Sequence, residues 1–325
     1  MVSTSQFDYG RAFARNLGLV DEGEQTCLRK TCIALAGLGG VGGAHLQTLA
    51  RMGIGAFRLA DPDTYEVVNF NRQLGATMGS VGKRKTFVMS EMAHEINPEA
   101  NVTVFPEGIT RQNIDAFLSG ADIVVDGIEF FCIDTRRMLY RACRERDIPV
   151  VNAGPIGYGA AVLVFMPGCM SFDEYFRIDD SMTRAEQLLA MALGLAPGLG
   201  SDIDPSRVDV ENQKGPALAS ACMLCAAAAA TEVLKLVCKR GRPCAAPGGN
   251  YYDLYRGRTC RLRPRPSLTA TLCGRVLRWL AFRKCPAFRR MHEREIASRN
   301  STSHAESAVG NESIGHAAVG TQGAS

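Results

Sequence analysis

No apolar run opens this 325-residue chain. Its first thirty residues mix Asp, Glu, Arg and Gly, so no secretory signal segment is expected. Long hydrophobic stretches are scarce. The longest, "GPALASACMLCAAAAATEVLKLV", is rich in alanine and interrupted by Glu232 and Lys235, and it reads as a tightly packed internal helix rather than a membrane span. A second C-x-x-C pair is missing: Cys222 and Cys225 stand alone, and one pair cannot complete a tetrahedral site, so zinc is expected to be absent and packing is their expected role. There is no internal repeat. Acidic residues are absent from Arg256 to His292. What remains is a chain with 46 % hydrophobic residues and a net charge of +4, enough core for one large α/β domain and too mild a charge to imply nucleic acid by itself. Twelve cysteines without a signal segment point to reduced thiols and a cytoplasmic location.

Short β-branched runs alternate with helical patterns in the first half. "CIALAG", "AFRLAD", "NVTVFP", "DIVVDG" and "IPVVNA" are bounded by Gly, Pro or Asp, with helices expected over residues 42–52, 83–96, 112–118 and 131–147. That order predicts a parallel, doubly wound sheet. "YGAAVLVFMPG" and "NYYDLYRG" read as further strands, and a helix is expected over 183–193. The expected organisation is an N-terminal helical segment over 1–30, a nucleotide-binding domain over 31–258 with a crossover segment at about 169–214, a basic amphipathic extension over 259–300, and a tail over 301–325. The tail is mostly small and polar, so disorder is expected there.

Gly37, Gly39 and Gly42 form G-x-G-x-x-G between the first strand and a helix. Glycines there permit a tight turn and close approach of backbone to phosphate, and the helix N-terminus offers free N–H groups to an anion. Asp61 ends the next strand, where an acid can bond a ribose hydroxyl. A glycine turn serving only helix packing, or a nicotinamide site, would look the same so far. The following "DPDTYEVVNFNRQ" and "GKRK" then supply Asp63, Asn69, Asn71, Arg72 and Lys85. Hydride transfer needs no such collection. Cleavage of a triphosphate does, because charge builds on its oxygens and fixed cations stabilise that charge.

At these residues the chain resembles the ThiF/MoeB-type adenylyltransferases, bacterial relatives of ubiquitin-activating enzymes. The resemblance runs from about Phe13 to Arg258 and is carried by "GLGGVGG", "ADPDTYEVVNFNRQ", "VGKRK" and "VVDGIEFF". It implies a Rossmann-like, doubly wound, mostly parallel sheet with additional C-terminal strands and a helix. It also implies ATP and magnesium, and adenylation of a carboxylate, commonly the C-terminal glycine of a ubiquitin-like sulfur carrier. By the same resemblance Gly40 and its neighbours line the phosphates, Asp61 takes the ribose, and Asn69, Asn71, Arg72 and Lys85 surround the triphosphate. In "FARN", Arg15 matches an arginine that reaches the partner subunit's ATP in the family's homodimers.

Two features depart from the family pattern. Where the family usually has a second Asp after Asp126, this chain has Glu129, one methylene longer. A carboxylate there is the expected magnesium ligand, although a misplacement of about 1 Å can cost on the order of 100-fold in rate. Some relatives carry a reactive cysteine in the crossover segment; Cys169 is the candidate here, against an inert thiol. Finally, "LCGRVLRWLAFRKC" places Leu272, Val276, Trp279 and Leu280 near one helical face among arginines. This helix could pack on its own domain, rest on an anionic membrane or bind nucleic acid. Rivals to the adenylyltransferase reading are a nicotinamide-dependent oxidoreductase and a family member that binds nucleotide without turnover.

Overall fold

Strand signals in the sequence become neighbours in one sheet. The computed structural model describes residues 7–196 and 203–315. Its strands are β1 (Cys32–Ala36), β2 (Ala56–Ala60), β3 (Asn101–Phe105), β4 (Ile123–Asp126), β5 (Val150–Ile156), β6 (Gly159–Phe165), β7 (Gly249–Asp253) and β8 (Arg258–Leu262). They form a sheet in the order β3-β2-β1-β4-β5-β6-β7-β8. The first five run parallel, and β6, β7 and β8 add antiparallel. The doubly wound, mostly parallel expectation is met. From β1 the chain winds outward through β2 to β3, then returns to place β4 on the other side of β1. That reversal opens a crevice at the carboxyl ends of β1 and β4, where doubly wound sheets bind ligands.

Helices cover both faces. Among the described residues they are α1 (Tyr9–Ala12), α2 (Glu22–Lys30), α3 (Gly40–Arg51), α4 (Lys85–Ile96), α5 (Ile114–Leu118), α6 (Ile133–Glu145), α7 (Phe172–Phe176), α8 (Arg184–Leu195), α9 (Ala219–Val237), α10 (Leu272–Lys284) and α11 (Pro286–Gly315). Alternation along β1 sends Ile33 and Leu35 into the core beneath α3, α4 and α9, and Ala34 and Ala36 into the core beneath α5 to α8. Among the described helices α9 alone has the length and hydropathy of a membrane span, yet it packs on α3, β5 and β6. Its alanines allow close approach, and the buried Glu232 accepts from Lys235 Nζ at 2.7 Å and from the Cys244 amide at 2.8 Å.

The C-terminal part differs from the sequence expectation in two respects. The boundary expected at 258 falls inside β8, whose run of arginines hides a strand that β7 completes by pairing. Leu268, Ala281 and Phe288 also enter the core under α6 and α8, so the extension is built into the domain. Over 301–315, where disorder is expected, the chain continues α11; extending a helix already nucleated upstream costs little per residue. Residues 316–325 of that expected tail lie outside the described residues.

His45 on α3 is fully buried, and neither ring nitrogen has a hydrogen-bond partner among the described residues. Burial disfavours the charged ring and pushes its pKa down to about 4, with Asp126 pulling weakly the other way. Below the ordinary value near 6.5 the unfolded chain takes up a proton that the folded chain refuses. The stability this contributes is therefore complete above pH 6.5 and lost as pH falls toward 4. Urea unfolding at pH 7 and pH 4.5 should show His45→Leu losing about 2–3 kcal/mol less than the parent chain over that drop. Equal losses would mean that His45 is not a buried neutral ring.

Candidate active site

Close backbone contact builds the floor of the crevice. Gly37 has φ +92°, and a Cβ there would lie 2.3 Å from the Gly127 carbonyl oxygen. A Cβ on Gly42 would lie 1.9 Å from the Gly37 carbonyl oxygen. Only glycine fits either position. Gly40 is confined differently, between the Arg72 side chain and Cys222 Sγ, each 3.1 Å from a Cβ built on it. Gly39 is the N-cap of α3 and has no side chain to cap the helix; a Cβ built on it would lie 3.9 Å from Gln73 Nε2. The first turn of α3 thus has no side-chain cap on its amides, and uncapped amides at a helix N-terminus can receive a phosphate.

Three charges sit beside this turn. Asp61, at the end of β2, accepts from the Leu38 amide at 2.7 Å and the Asp63 amide at 2.9 Å. Burial raises its pKa, and Lys85 works against that shift. Lys85 opens α4 and is itself buried, with Nζ 2.8 Å from Asp63 Oδ2 and 3.9 Å from Asp61 Oδ1. A lysine so deep requires compensating charge, and here two carboxylates supply it. Each carboxylate oxygen of Asp61 keeps a lone pair beyond the bonds described, so a ribose hydroxyl can still be accepted.

The segment after Asp61 divides between structure and site. Asn69 accepts from the Glu66 amide at 2.9 Å and closes a 3-10 turn. Asn71 donates to the Ala217 carbonyl at 3.0 Å, tying this segment to the approach to α9. Arg72 donates to Asn71 Oδ1 at 2.8 Å, and its partly exposed guanidinium has no carboxylate partner among the described residues. Burial pushes the Cys222 thiol up, with the nearby Arg72 charge lowering it and the Glu129 charge raising it.

Glu129 lies exposed on the loop between β4 and α6, its Oε1 accepting from the Phe130 amide at 3.0 Å. Asp126 is buried, its side chain only 1 % exposed, and is held from within the fold. Its Oδ2 accepts from Arg136 Nε at 2.8 Å, Tyr140 Oη at 2.7 Å and Asn152 Nδ2 at 2.8 Å, and its Oδ1 from the Ile128 amide at 2.9 Å. Arg136 also donates to the Ile128, Glu129 and Phe130 carbonyls, so it shapes the loop that carries Glu129. This network was not foreseen: an arginine inside an amphipathic helix looks like surface until its partner is known. Among the described residues no group of three or more His, Cys, Asp or Glu is arranged for a metal. A magnesium ion on a nucleotide needs only one or two carboxylates, the rest of its shell being phosphate and water; Glu129 is an exposed carboxylate of the type that could serve.

Two expected residues stand apart. Cys169 follows β6, whose last residue pairs with the first of β5, so this thiol lies beyond the amino ends of the parallel strands, across the sheet from the glycine turn. The thiols beside the site are Cys132 and Cys222, both pushed up by burial and so held protonated. Arg15 lies in a 3-10 turn whose next residue, Asn16, donates to the Met52 carbonyl at the far end of α3. At 1.5 Å per residue, α3 separates Arg15 from its own glycine turn by roughly 18 Å.

The family model described as ThiF family matches residues 13–274. The chain belongs to the ThiF family. The resemblance seen in the motifs is therefore borne out. A tRNA threonylcarbamoyladenosine dehydratase from Haemophilus influenzae is 40 % identical over 131 residues, which is 40 % of this chain and 49 % of that protein. A sulfur carrier protein ThiS adenylyltransferase from Escherichia coli is 28 % identical over 149 residues, 45 % of this chain and 57 % of that protein. The chain thus spans about half the length of these curated relatives. The crystal structure of PaaA superposes with a TM-score of 0.60 at 19 % identity, covering 81 % of this chain and 78 % of that one, and supports the fold.

The Asp126–Arg136 pair supplies a direct test. Arg136→Ala leaves a buried carboxylate without its cation and should cost about 3–5 kcal/mol in urea unfolding. Adding Asp126→Asn should recover part of that loss. A cost within the roughly 0.5 kcal/mol of ordinary surface changes would show that the pair does not hold the loop.

Proposed function

We propose that the chain is an ATP-dependent adenylyltransferase that activates a carboxylate as an acyl-adenylate and releases pyrophosphate. The observation that carries this reading is Lys85: a buried ammonium between Asp61 and Asp63, beside an uncapped helix turn at Gly39. The acceptor carboxylate, ionised at neutral pH, attacks the α-phosphorus while the bond to pyrophosphate breaks. Lys85 and Arg72 stabilise the charge that develops, and orientation and electrostatics do the rest. Magnesium, held by Glu129, would neutralise phosphate charge when bound. Two acceptors follow from the relatives. One is the C-terminal glycine of a ubiquitin-like or sulfur-carrier protein. The 40 % identity to a tRNA-modifying dehydratase favours the other, the carboxylate of a modified tRNA base. ATP use and twelve free cysteines suit a reduced cytoplasm.

A homodimer completes the proposal. Arg15 is too far down α3 to serve its own turn, so it would serve a neighbour's. Val67, Val68, Phe70, Met78 and Val81 are exposed along the segment between β2 and α4, and Phe87 is exposed in the first turn of α4; that neighbour would cover them.

Calorimetric titration should show ATP-Mg binding that Lys85→Ala weakens by at least about tenfold. Glu129→Gln should keep ATP binding and lose most pyrophosphate exchange with a competent acceptor, since an amide is a neutral and weaker magnesium ligand. Tight NAD binding without ATP binding would remove the reading. For the dimer, mixing Arg15→Ala with Lys85→Ala subunits should restore part of the activity, because one site of each hybrid keeps both side chains. No recovery despite demonstrated subunit exchange would count against Arg15 acting across the interface.

A further inference from the structure

Most of α10 and all of α11 lie beyond residue 274, where the family match ends. At 100° per residue, α10 has two opposed faces. Its inner face carries Gly274, Leu277, Arg278 and Ala281. A Cβ on Gly274 would lie 1.7 Å from the Ser267 carbonyl oxygen, Leu277 and Ala281 join the core, and Arg278 is ion-paired to the buried Glu186. This face holds the helix on its own domain. The outer face carries Leu272, Val276, Trp279 and Arg283, spaced by four, three and four residues. Leu272 is 79 % exposed, Val276 50 % and Trp279 58 %, and the Arg283 guanidinium stands 5.5 Å from the centre of the Trp279 ring. Arg275 and Lys284 flank the stripe. None of these three cations pairs with a carboxylate among the described residues, and the chain has no acid between Arg256 and His292.

We propose that the outer face of α10 docks the protein on an anionic membrane surface, with Leu272, Val276 and Trp279 entering the acyl boundary and Arg275, Arg283 and Lys284 meeting the headgroups. The charge of the stripe's border selects the occupant. A second copy would bring the same three cations against their own kind. A nucleic acid would satisfy the cations, but its phosphate backbone offers no hydrocarbon in which to bury Leu272 and Val276. An anionic bilayer supplies both, and an indole beside a guanidinium is suited to its interface. Thirteen residues span only about 20 Å of helix, so α10 lies in the plane of the interface and does not cross the bilayer. The inner face keeps the helix attached to α8 and α11 meanwhile. This inference does not depend on which acceptor the enzyme uses, or on whether it adenylates one.

Trp279 is the only tryptophan in the chain, so its fluorescence reports on this face alone. The full chain is mixed with vesicles of neutral phosphatidylcholine, or of phosphatidylcholine with about one-third anionic phosphatidylglycerol. With anionic vesicles, emission should move to shorter wavelength, acrylamide should quench less, and the protein should sediment with the lipid. All three effects should weaken as salt rises. The exposed substitutions Leu272→Asp and Val276→Asp should reduce vesicle affinity by at least about tenfold while leaving circular dichroism unchanged. No change with anionic vesicles overturns the proposal, as does full binding by the two variants. An equal response to neutral vesicles removes the electrostatic half of the argument and overturns it as stated. A comparable emission shift caused by RNA, or by raising the protein concentration alone, assigns the face to another occupant and overturns it too.

Discussion

The site depends on backbone meeting backbone with nothing between. Gly37, Gly42 and Gly127 bring the turn after β1 and the turn after β4 together so tightly that a single methyl group at Gly37 or Gly42 would displace one or the other. This contact sets the first turn of α3 against the loop after β4 at the switch point, where doubly wound sheets bind ligands. It also sets where the Glu129 loop begins. The glycine turn and the acidic loop are separate in sequence, yet their relative position is fixed by three residues that have no side chain.

Around that contact, buried charge is neutralised in two places by different means. Lys85 is balanced by Asp61 and Asp63 beside the glycine turn, the first buried and the second exposed. Asp126 is closed in by Arg136, Tyr140, Asn152 and the Ile128 amide. Burial first, and the Asp126 charge next, push the Tyr140 phenol well above its ordinary value, so it remains a donor. One cluster keeps an exposed carboxylate and the other is closed on every side described. The retained acid of the family motif is therefore structural in this chain, and the longer Glu129 is the carboxylate left facing outward.

Much of this was legible beforehand because it is written locally. Short β-branched runs bounded by Gly, Pro or Asp marked five parallel strands, and helical patterns marked the helices between them, since both signals are carried within a few residues. The spacing of Gly37, Gly39 and Gly42, and the string from Asp61 to Lys85, marked an anion site for the same reason. β8 was missed because its arginines carry no alternation that survives without β7 alongside.

What tertiary structure alone decided are matters of partnership. The sequence contains Arg136 and Asp126, but a buried ion pair exists only once α6 lies across β4. Cys169 falls within the expected crossover segment, yet an antiparallel β6 carries it to the wrong end of the sheet. On α10 the periodicity marked Leu272, Val276, Trp279 and Leu280 as an apolar face, which would ordinarily be the buried one. The fold instead buries Gly274 and Ala281, packs the partly buried Leu277 against the core, and leaves much of the marked face in water. A helical pattern specifies that faces differ; which face is covered depends on the shape of the surface it meets, and Gly274 is what allows the closer fit.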